Sequence, residues 1–388
     1  MTVICAVPSK ARKLVRISDV AQTASGTTPS RSQADYWQPP EVPWVKTGEI
    51  AFAPIRLVEE AVSRKAINDC SLPLLPPGTV LVAMYGQGKT RGQSAVLEIS
   101  ATTNQACFAV LPNETFVAEY LQYWFRYSYS SIRSASEGRG GNQSNLSGDM
   151  LKALEVPWVE PTEQRVIAGK LALKLEAAEK ARQAALMQLR EISNLAGAIV
   201  LDTIRKSPTE PWLLGDVLDE VKHGIGAGWA DHPVLGATRE GLAPAKEQPG
   251  KMAPKYKPVT LGTVFYNPMR ILIGSIAFVD DDDASGITSP DYVALRGKPG
   301  RVDSRWFYYW LRSHLGAQCI LSLARGAVRE RMLFNRLADG KIDLPSPEAQ
   351  EKASRALREL KPLQRALKSK LAEIDLLPQK ILAQAFEM

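Results

Sequence analysis

The sequence predicts an α+β protein in which two mixed α/β domains, in a pseudo-two-fold arrangement, are joined by two long antiparallel coiled-coil helices. Two stretches of about forty residues lack strand patterns and carry heptad seams, which predicts the helices. Short apolar runs between turn residues predict strands elsewhere. The segments before the two helices resemble each other in order, which indicates a duplication. The predicted boundaries are a domain over 1–160, a helix over 161–206, a domain over 207–345 and a helix over 346–388.

The composition is that of a globular protein, with 45% hydrophobic and 23% charged residues. No apolar run approaches the roughly 20 residues that a transmembrane helix needs. The basic residues that follow the short apolar run near the N-terminus are the reverse of a secretory signal. Three histidines lack metal-site spacing, so we expect no metal site. Reduced thiols and a cytoplasmic location are expected because the four cysteines are scattered, namely Cys5, Cys70, Cys107 and Cys319.

The positive charge of the chain is concentrated in one segment. The formal net charge is +7, with a pI near 9.1. Residues 296–336 carry eight arginines and Lys298 against only Asp303 and Glu330. This local excess is as large as that of the whole chain. It favours nucleic acid as a partner.

In the first domain, the loop between two predicted strands partly matches a nucleotide-binding motif. Between the strand-like runs "TVLVAMY" and "SAVLEI", Gly88-Lys89-Thr90 matches the tail of the phosphate loop G-x-x-x-x-G-K-[ST]. However, Ala83 replaces the first glycine, and a strand pattern follows Thr90 where a phosphate-binding helix should begin. The apolar run and aspartates of "ILIGSIAFVDDDD" (271–283) belong to the matching hairpin of the second domain. A nucleotidase is therefore disfavoured, and we interpret the aspartate run as a solvated turn.

Both long segments carry narrow, alanine-rich seams that alternate four and three residues apart. Such seams suit a close two-helix coiled coil, although two ordinary amphipathic helices on a core are the alternative. Pro362 and Pro378 interrupt the second seam, which predicts a kink or break there. The first seam is Leu171, Leu175, Ala178, Arg182, Ala185, Leu189, Ile192, Ala196 and Ile199, and the second is Ala353, Leu357, Leu360, Gln364, Leu367, Leu371, Ile374, Pro378, Ile381 and Ala385.

Matching segments occur in the same order in both halves of the chain. One unit, a mixed domain followed by a long helix, is therefore predicted to have been duplicated. The matching pairs are 16–26 with 213–224, 102–111 with 287–295, 117–128 with 302–313 and 156–164 with 342–350.

Other catalytic candidates are weak. Asp216, Glu220 and Lys222 have the residue types of a nuclease site, but the first copy has only "QTASG" there, so we interpret them as a helix surface. "NPMR" (267–270) lacks the aromatic residue that a base-flipping methyltransferase stacks on its target. Core packing is the favoured role of the aromatic clusters, which are Tyr120, Tyr123, Trp124 and Phe125, and Trp306, Phe307, Tyr309 and Trp310. The sequence therefore favours a binding protein over an enzyme.

Several segments together resemble the specificity subunit of type I restriction-modification systems. The segments "RKLVRISDVAQTASGTTPSRSQADYWQPPEVPWVKTGEI" (12–50) and "LLPPGTVLVAMYGQGKTRGQSAVLEISATTNQACFAVLP" (74–112) resemble the first target recognition domain. "GGNQSNLSGDMLKALEVPWVEPTEQRVIAGKL" (140–171) resembles its end and the first spacer helix. "FYNPMRILIGSIAFVDDDDASGITSPDYVALR" (265–296) and "ARGAVRERMLFNRLADGKIDLPSPEAQ" (324–350) resemble the second. The second copy departs from the pattern over 226–258, where no "VPWV" segment is evident.

This resemblance implies a subunit without catalytic residues. Each of two target recognition domains would read one half of a split, asymmetric DNA target, and the two helices would set the distance between them. Two methyltransferase subunits would dock on the chain, and restriction-translocase subunits would join them. The chain itself would bind no cofactor, since S-adenosylmethionine, ATP and magnesium would be held by these partners.

The candidate DNA-binding residues lie in three polar segments. Arginine and lysine suit phosphates and guanine edges, and asparagine and glutamine suit adenine edges. The alternative for each residue is a solvated loop position. The candidates are Lys89, Arg91 and Gln93 in the "GQGKTRGQ" loop, Arg139, Asn142, Gln143 and Asn145 in "EGRGGNQSN", and Arg325, Arg329, Arg331, Asn335 and Arg336 in and beyond "RGAVRER".

Two other functions stay open at this point. The same fold could serve another methylation-based defence system or a solitary DNA-binding regulator, which neighbouring genes would distinguish. A phosphate-loop NTPase is the enzymatic alternative, and a nucleotide titration would test it.

Overall fold

The structure, a computed structural model, describes residues 12–86, 88–137, 145–247, 249–250, 252–324 and 331–387. The chain forms two compact units. Residues up to Arg182, together with those from Ala372 onward, form unit 1, and Gln183–Leu371 form unit 2. Each long helix therefore contributes one part to each unit.

Unit 1 contains a four-stranded sheet, a three-stranded sheet and a two-stranded ribbon. Its strands are β1 (Lys13–Arg16), β2 (Thr23–Ser25), β3 (Val42–Val45), β4 (Glu60–Val62), β5 (Val80–Ala83), β6 (Ser94–Val96), β7 (Thr102–Thr103), β8 (Cys107–Val110) and β9 (Glu155–Trp158). The sheet orders are β2-β8-β5-β6 and β4-β3-β7, and β1 pairs with β9. The helices are α1 (Ile17–Val20), α2 (Arg64–Asp69), α3 (Ala118–Tyr127), α4 (Tyr129–Glu137), α5 (Gly148–Lys152) and α6 (Pro161–Lys206).

Unit 2 repeats this plan. Its strands are β10 (Thr209–Leu213), β11 (Leu218–Glu220), β12 (Leu235–Thr238), β13 (Gly241–Pro244), β14 (Lys257–Val259), β15 (Val264–Tyr266), β16 (Ile276–Phe278), β17 (Gly286–Thr288), β18 (Val293–Gly297) and β19 (Lys341–Pro345). The order β11-β18-β15-β16 reproduces that of the first sheet, and β10 pairs with β19 as β1 does with β9. The helices are α7 (Leu214–Val217), α8 (Ser304–Arg312), α9 (His314–Leu323), α10 (Phe334–Leu337) and α11 (Pro347–Phe386).

Residues 226–258, for which the sequence showed no match in the first copy, have a structural counterpart in unit 1. A parallel bridge joins Val234, just before β12, to Ile287. The parallel pair of Trp44 with Thr102 has the same place in unit 1. The strand that follows "HP" at 232–233 therefore corresponds to the "VPWV" strand β3. The hairpin β12–β13 corresponds to β3–β4.

A buried glutamine ties each long helix to its own domain in the same way. Gln164 accepts a hydrogen bond from the amide of Val117 at 2.8 Å, just before α3. Gln350 accepts one from the amide of Asp303 at 2.9 Å, just before α8. Both side chains also donate to backbone carbonyls nearby. The duplication therefore extends to single hydrogen bonds.

The two predicted helical seams are confirmed. Every described seam position is buried or half-buried. In unit 1, the start of α6 packs against the end of α11, with Leu171 and Leu175 in one core cluster with Leu382 and Phe386. In unit 2, the end of α6 packs against the start of α11. Within each unit the two helices therefore run antiparallel.

The predicted break in the second helix was wrong. The helix α11 is continuous over its 40 residues, through both Pro362 and Pro378. A proline removes one backbone hydrogen bond, at a cost of about 3 kcal/mol in a helix interior. Contacts on both sides of Pro362 offset this cost, because Lys361 and Arg365 bind the aspartate run in unit 2.

The interpretation of Asp280–Asp283 as a solvated turn was also wrong. Asp280 is buried and accepts hydrogen bonds from Arg305 of α8. Asp283 binds Lys361 and Arg365, each at 2.7 Å. Burial alone would raise the pKa of Asp280, but the hydrogen bonds from Arg305 outweigh it and hold this pKa below its usual value. The run is an ionic clamp between β16, α8 and α11.

Candidate nucleic-acid interface

In unit 1, the loop between β5 and β6 is held by α4. Arg133 donates to the carbonyls of Gly88 and Arg91, at 2.9 and 2.7 Å, and the hydroxyl of Tyr129 donates to the carbonyl of Lys89 at 2.6 Å. Gly92 has a positive φ of 87°, a conformation that favours glycine. These contacts hold the backbone of 88–92, with Lys89 exposed and with Arg91 and Gln93 half-buried.

Asn145 is brought next to this loop. The amide of Leu146 donates to the carbonyl of Met84 at 3.1 Å, where β5 ends. Leu146 itself is buried, whereas Asn145 is exposed. The structure therefore places one residue of the "EGRGGNQSN" segment beside the base of the Lys89 loop. Arg139, Asn142 and Gln143 lie outside the described residues.

Unit 2 repeats this anchor. The amide of Met332 donates to the carbonyl of Pro268 at 3.0 Å, just after β15. Met332 is buried, and Arg331 before it is exposed. Asn145 and Arg331 therefore have equivalent places, each next to a buried residue that binds the hairpin loop. Asn335 is exposed and Arg336 is half-buried, both on α10, whereas Arg325 and Arg329 lie outside the described residues.

The anchor also aligns the two polar segments residue by residue. When Asn145 is placed on Arg331, the Arg139-Gly140 pair falls on Arg325-Gly326, and Gln143 falls on Arg329. The copies therefore share a register but differ in the side chains that they present. Arg331 also forms an ion pair with Asp291 at 2.8 Å, and both side chains are exposed.

Sequence reasoning missed one exposed loop, which connects β15 to β16. This hairpin was matched in sequence to that of the first domain, but no candidate DNA-binding residue was named on its loop, the counterpart of the Lys89 loop. Arg312 holds it by donating to the carbonyls of Gly274 and Ile276, at 3.1 and 3.0 Å. Arg270 is exposed on this loop. The duplication itself was the signal, because the two hairpins match.

Several of the described basic residues of 296–336 make contacts within unit 2. Arg301 lies over the Trp212 ring at 4.8 Å, and Arg305 and Arg312 make the contacts already described. Lys298 donates to the carbonyl of Asp216 at 2.8 Å. Much of this charge therefore stabilises unit 2.

The structure gives no support to the phosphate-loop and nuclease interpretations of the sequence. The strand β6 follows the Gly88-Lys89-Thr90 loop, where a phosphate-binding helix would begin. Glu220 lies in strand β11, so its placement on a helix surface was wrong. It pairs with Lys257 at 3.9 Å, and burial lowers the pKa of Lys257 although Glu220 acts to raise it. Among the described residues, no group of His, Cys, Asp or Glu side chains could hold a metal ion.

The predicted core role of the aromatic clusters is confirmed. Tyr120, Trp124 and Phe125 are buried in unit 1, as are Trp306, Phe307 and Trp310 in unit 2. Within the described part of the chain, no helix is long and apolar enough to cross a membrane.

Comparisons with known proteins agree with the resemblance. Residues 10–186 match the family model of the type I restriction modification DNA specificity domain. The type I restriction enzyme MjaIX specificity subunit of Methanocaldococcus jannaschii is 31% identical over 160 residues, which cover 40% of this chain and 36% of that protein. The EcoR124I/EcoR124II specificity subunit of Escherichia coli is 22% identical over 152 residues, which cover 39% of this chain and 38% of that protein. The match thus spans under two-fifths of each curated relative.

Solved structures extend the likeness in fold over nearly the whole chain. A chain from a study of complex assembly and conformational transition of the type I R-M system has a TM-score of 0.68 at 17% identity, covering 98% of this chain and 99% of that one. The type I restriction-modification S subunit from M. genitalium has a TM-score of 0.53 at 13% identity, covering 99% and 98%. The HsdS subunit from Thermoanaerobacter tengcongensis has one of 0.52 at 17% identity, covering 98% of both chains.

The fold of two mixed domains joined by long helices is thereby confirmed. Residues 10–186 match the DNA specificity domain of type I restriction-modification systems, and this part of the chain is similar in sequence to curated type I specificity subunits.

Proposed function

We propose that this chain is the non-catalytic, sequence-specific DNA-recognition subunit of a type I restriction-modification complex. The observation that carries the proposal is the duplicated anchor. Each unit places a hairpin loop and an exposed polar residue side by side through the same backbone hydrogen bond. Since the two units present different side chains there, each would read a different half of a split, asymmetric DNA target.

Recognition would divide between two kinds of contact. Lysine and arginine side chains such as Lys89 would bind phosphates and set the position of the protein. Side chains such as Asn145 and Arg331 would bind base edges, since asparagine suits adenine and arginine suits guanine. At about 1.5 Å per residue, a helix as long as α6 supports a fixed spacing between half-sites. The ion pair of Arg331 with Asp291 is exposed and would cost little to break.

The chemistry would belong to the partners. Two methyltransferase subunits would dock on this chain and hold S-adenosylmethionine, and restriction-translocase subunits would hold ATP and magnesium. The chain itself would bind no cofactor. Because these partners and their DNA substrate are cytoplasmic in this proposal, the chain would be cytoplasmic as well.

The proposal is tested by mapping methylated bases in DNA from cells that carry this chain with its methyltransferase partner. We expect a two-part motif with different halves and a fixed gap. An unbroken or palindromic motif, or no methylation that depends on this chain, would refute the proposal.

A separate measurement tests the absence of catalysis. The purified chain should not hydrolyse ATP, because Ala83 and β6 depart from a phosphate-binding loop. It should not methylate DNA, because "NPMR" (267–270) lacks the aromatic residue of a base-flipping methyltransferase. Steady ATP turnover above a buffer blank that is lost in Lys89→Ala would show an NTPase instead.

A further inference from the structure

The loop between β15 and β16 exposes an unusual amount of apolar surface. Met269, Leu272 and Ile273 are 60%, 55% and 64% exposed. Leu321 of α9 is 59% exposed. Leu272, Ile273 and Leu321 border one cleft of about 510 Å³. Contiguous exposed apolar surface of this kind marks an interaction site more often than single exposed side chains do.

The backbone of this loop is fixed, so the apolar side chains are held outward. The carboxamide oxygen of Asn267 accepts from the amide of Met269 at 3.0 Å, and the hydroxyl of Ser275 donates to the carbonyl of Ala237 at 2.6 Å. Gly274 has a positive φ of 84°, which a larger residue would adopt only with strain. Together with the hydrogen bonds from Arg312, these contacts anchor the backbone of the loop.

The position of the loop identifies its partner. It is the counterpart of the Lys89 loop, and the hydrogen bond from Met332 to Pro268 places Arg331 beside it. Exposed Arg270, on the same loop, adds a cation that suits a phosphate. The apolar loop therefore lies next to Arg331 and carries Arg270, two of the cations of the DNA surface proposed for unit 2.

From this placement we infer that Met269, Leu272 and Ile273 contact thymine methyl groups in the second half-site. The inference rests on the proposed function and names part of its specificity. Thymine carries the C5-methyl group in the major groove, and apolar side chains recognise it there. The second half-site should then contain A·T pairs that are read by apolar contact, whereas the polar Lys89 loop reads the first half-site.

Replacing thymine by uracil tests the inference on the assembled methyltransferase. The replacement removes only the methyl group and leaves the hydrogen-bonding groups of the base pair unchanged. Once methylation mapping has given the motif, each thymine of the second half-site is replaced in turn. Binding of the wild-type complex should weaken about fourfold at one or more positions, the factor expected for one buried apolar carbon.

A variant assigns the effect to the loop. The double substitution Leu272→Ala and Ile273→Ala should bind thymine and uracil equally at those positions, with unchanged preference in the first half-site. Leu261→Ala is the matched control, because Leu261 is 56% exposed in unit 2 but precedes β15 at its opposite end. It should retain the full effect of uracil.

Three results would overturn the inference: equal binding of thymine and uracil by the wild type, undiminished discrimination in the double variant, or failure of that variant to assemble with the methyltransferase. The last result would assign the loop to a protein contact. A complex with no sequence preference at all would instead refute the proposed function.

Discussion

Arg133 joins the helix α4 to the Lys89 loop by two hydrogen bonds to backbone carbonyls. Bonds that involve a charged group contribute about 1.5–3 kcal/mol each. We therefore expect Arg133→Ala to speed amide hydrogen exchange in the loop and to weaken base discrimination in the first half-site only. Arg64→Ala, which removes an exposed arginine of the same unit, is the control and should change neither. Unchanged exchange in the loop would show that Arg133 does not hold it.

The ionic clamp of unit 2 makes a prediction about pH. The pKa values of Asp280 and Asp282 are lowered in the folded protein. A lowered pKa contributes stability above the unfolded value, about 3.9, and this stability is lost as the pH falls through the folded pKa. Denaturant titrations should therefore show a steep loss of stability below about pH 4.

The same clamp can be removed by substitution. Asp280→Ala should cost about 3 kcal/mol at pH 7, because it leaves Arg305 without a buried partner, and should flatten the acid dependence. Asp219→Ala, at an exposed position in the same unit, should cost less than about 0.5 kcal/mol. Equal losses in the two variants would mean that the clamp does not stabilise the fold.

The role of a side chain could be predicted only where the residues that it contacts are close in sequence. "DDDD" is most often a solvated turn when considered alone. Its cations, Arg305 and Lys361, are distant along the chain and meet it only through folding. In contrast, the buried role of Trp306 and Phe307 was predicted, because aromatic side chains clustered in a helical stretch most often pack in a core.

At the scale of elements, the seam of α6 and α11 predicts a contrast between two leucines. Leu357 is fully buried in the unit 2 core, whereas Leu363 is 55% exposed on the same helix. Leu357→Ala should destabilise the chain by about 2–5 kcal/mol. Leu363→Ala should change stability by less than about 0.5 kcal/mol. Denaturant titration measures both, and equal effects would contradict the packing described here.

The helices were easier to predict than the strands. Heptads repeated over some forty residues located α6 and α11 to within a few residues. The strands of 226–258 were missed because each has only three or four residues. The strands β12 and β13 form a short local hairpin, and β14 pairs with the distant strand β17. The predicted break in α11 was wrong because it rested on the local propensity of proline alone. Packing on both sides of Pro362 maintains the helix.

At the scale of the whole molecule, the duplication predicts the behaviour of a half-length fragment. Residues 1–206 lack Leu382 and Phe386, which cover Leu171 and Leu175 in unit 1. The exposed seam should drive the fragment to dimerise, with a second copy replacing the missing helix. With the methyltransferase, this dimer should read a symmetric target made of the first half-site twice. A stable monomer in sedimentation would contradict this account.

The central claim is that each unit reads its own half of one DNA target. It is tested most directly by binding of the assembled methyltransferase to a panel of single-base target variants over a salt series. Asn145→Ala should relax preference in the first half-site only, and Arg331→Ala in the second only. Loss of a base-edge contact should cost about 1–3 kcal/mol of binding free energy in either variant. If Arg331 instead contacts a phosphate, its removal should lower the slope of the salt dependence by about one. A change at the same base pair in both variants, or no change in either at any salt concentration, would contradict the claim.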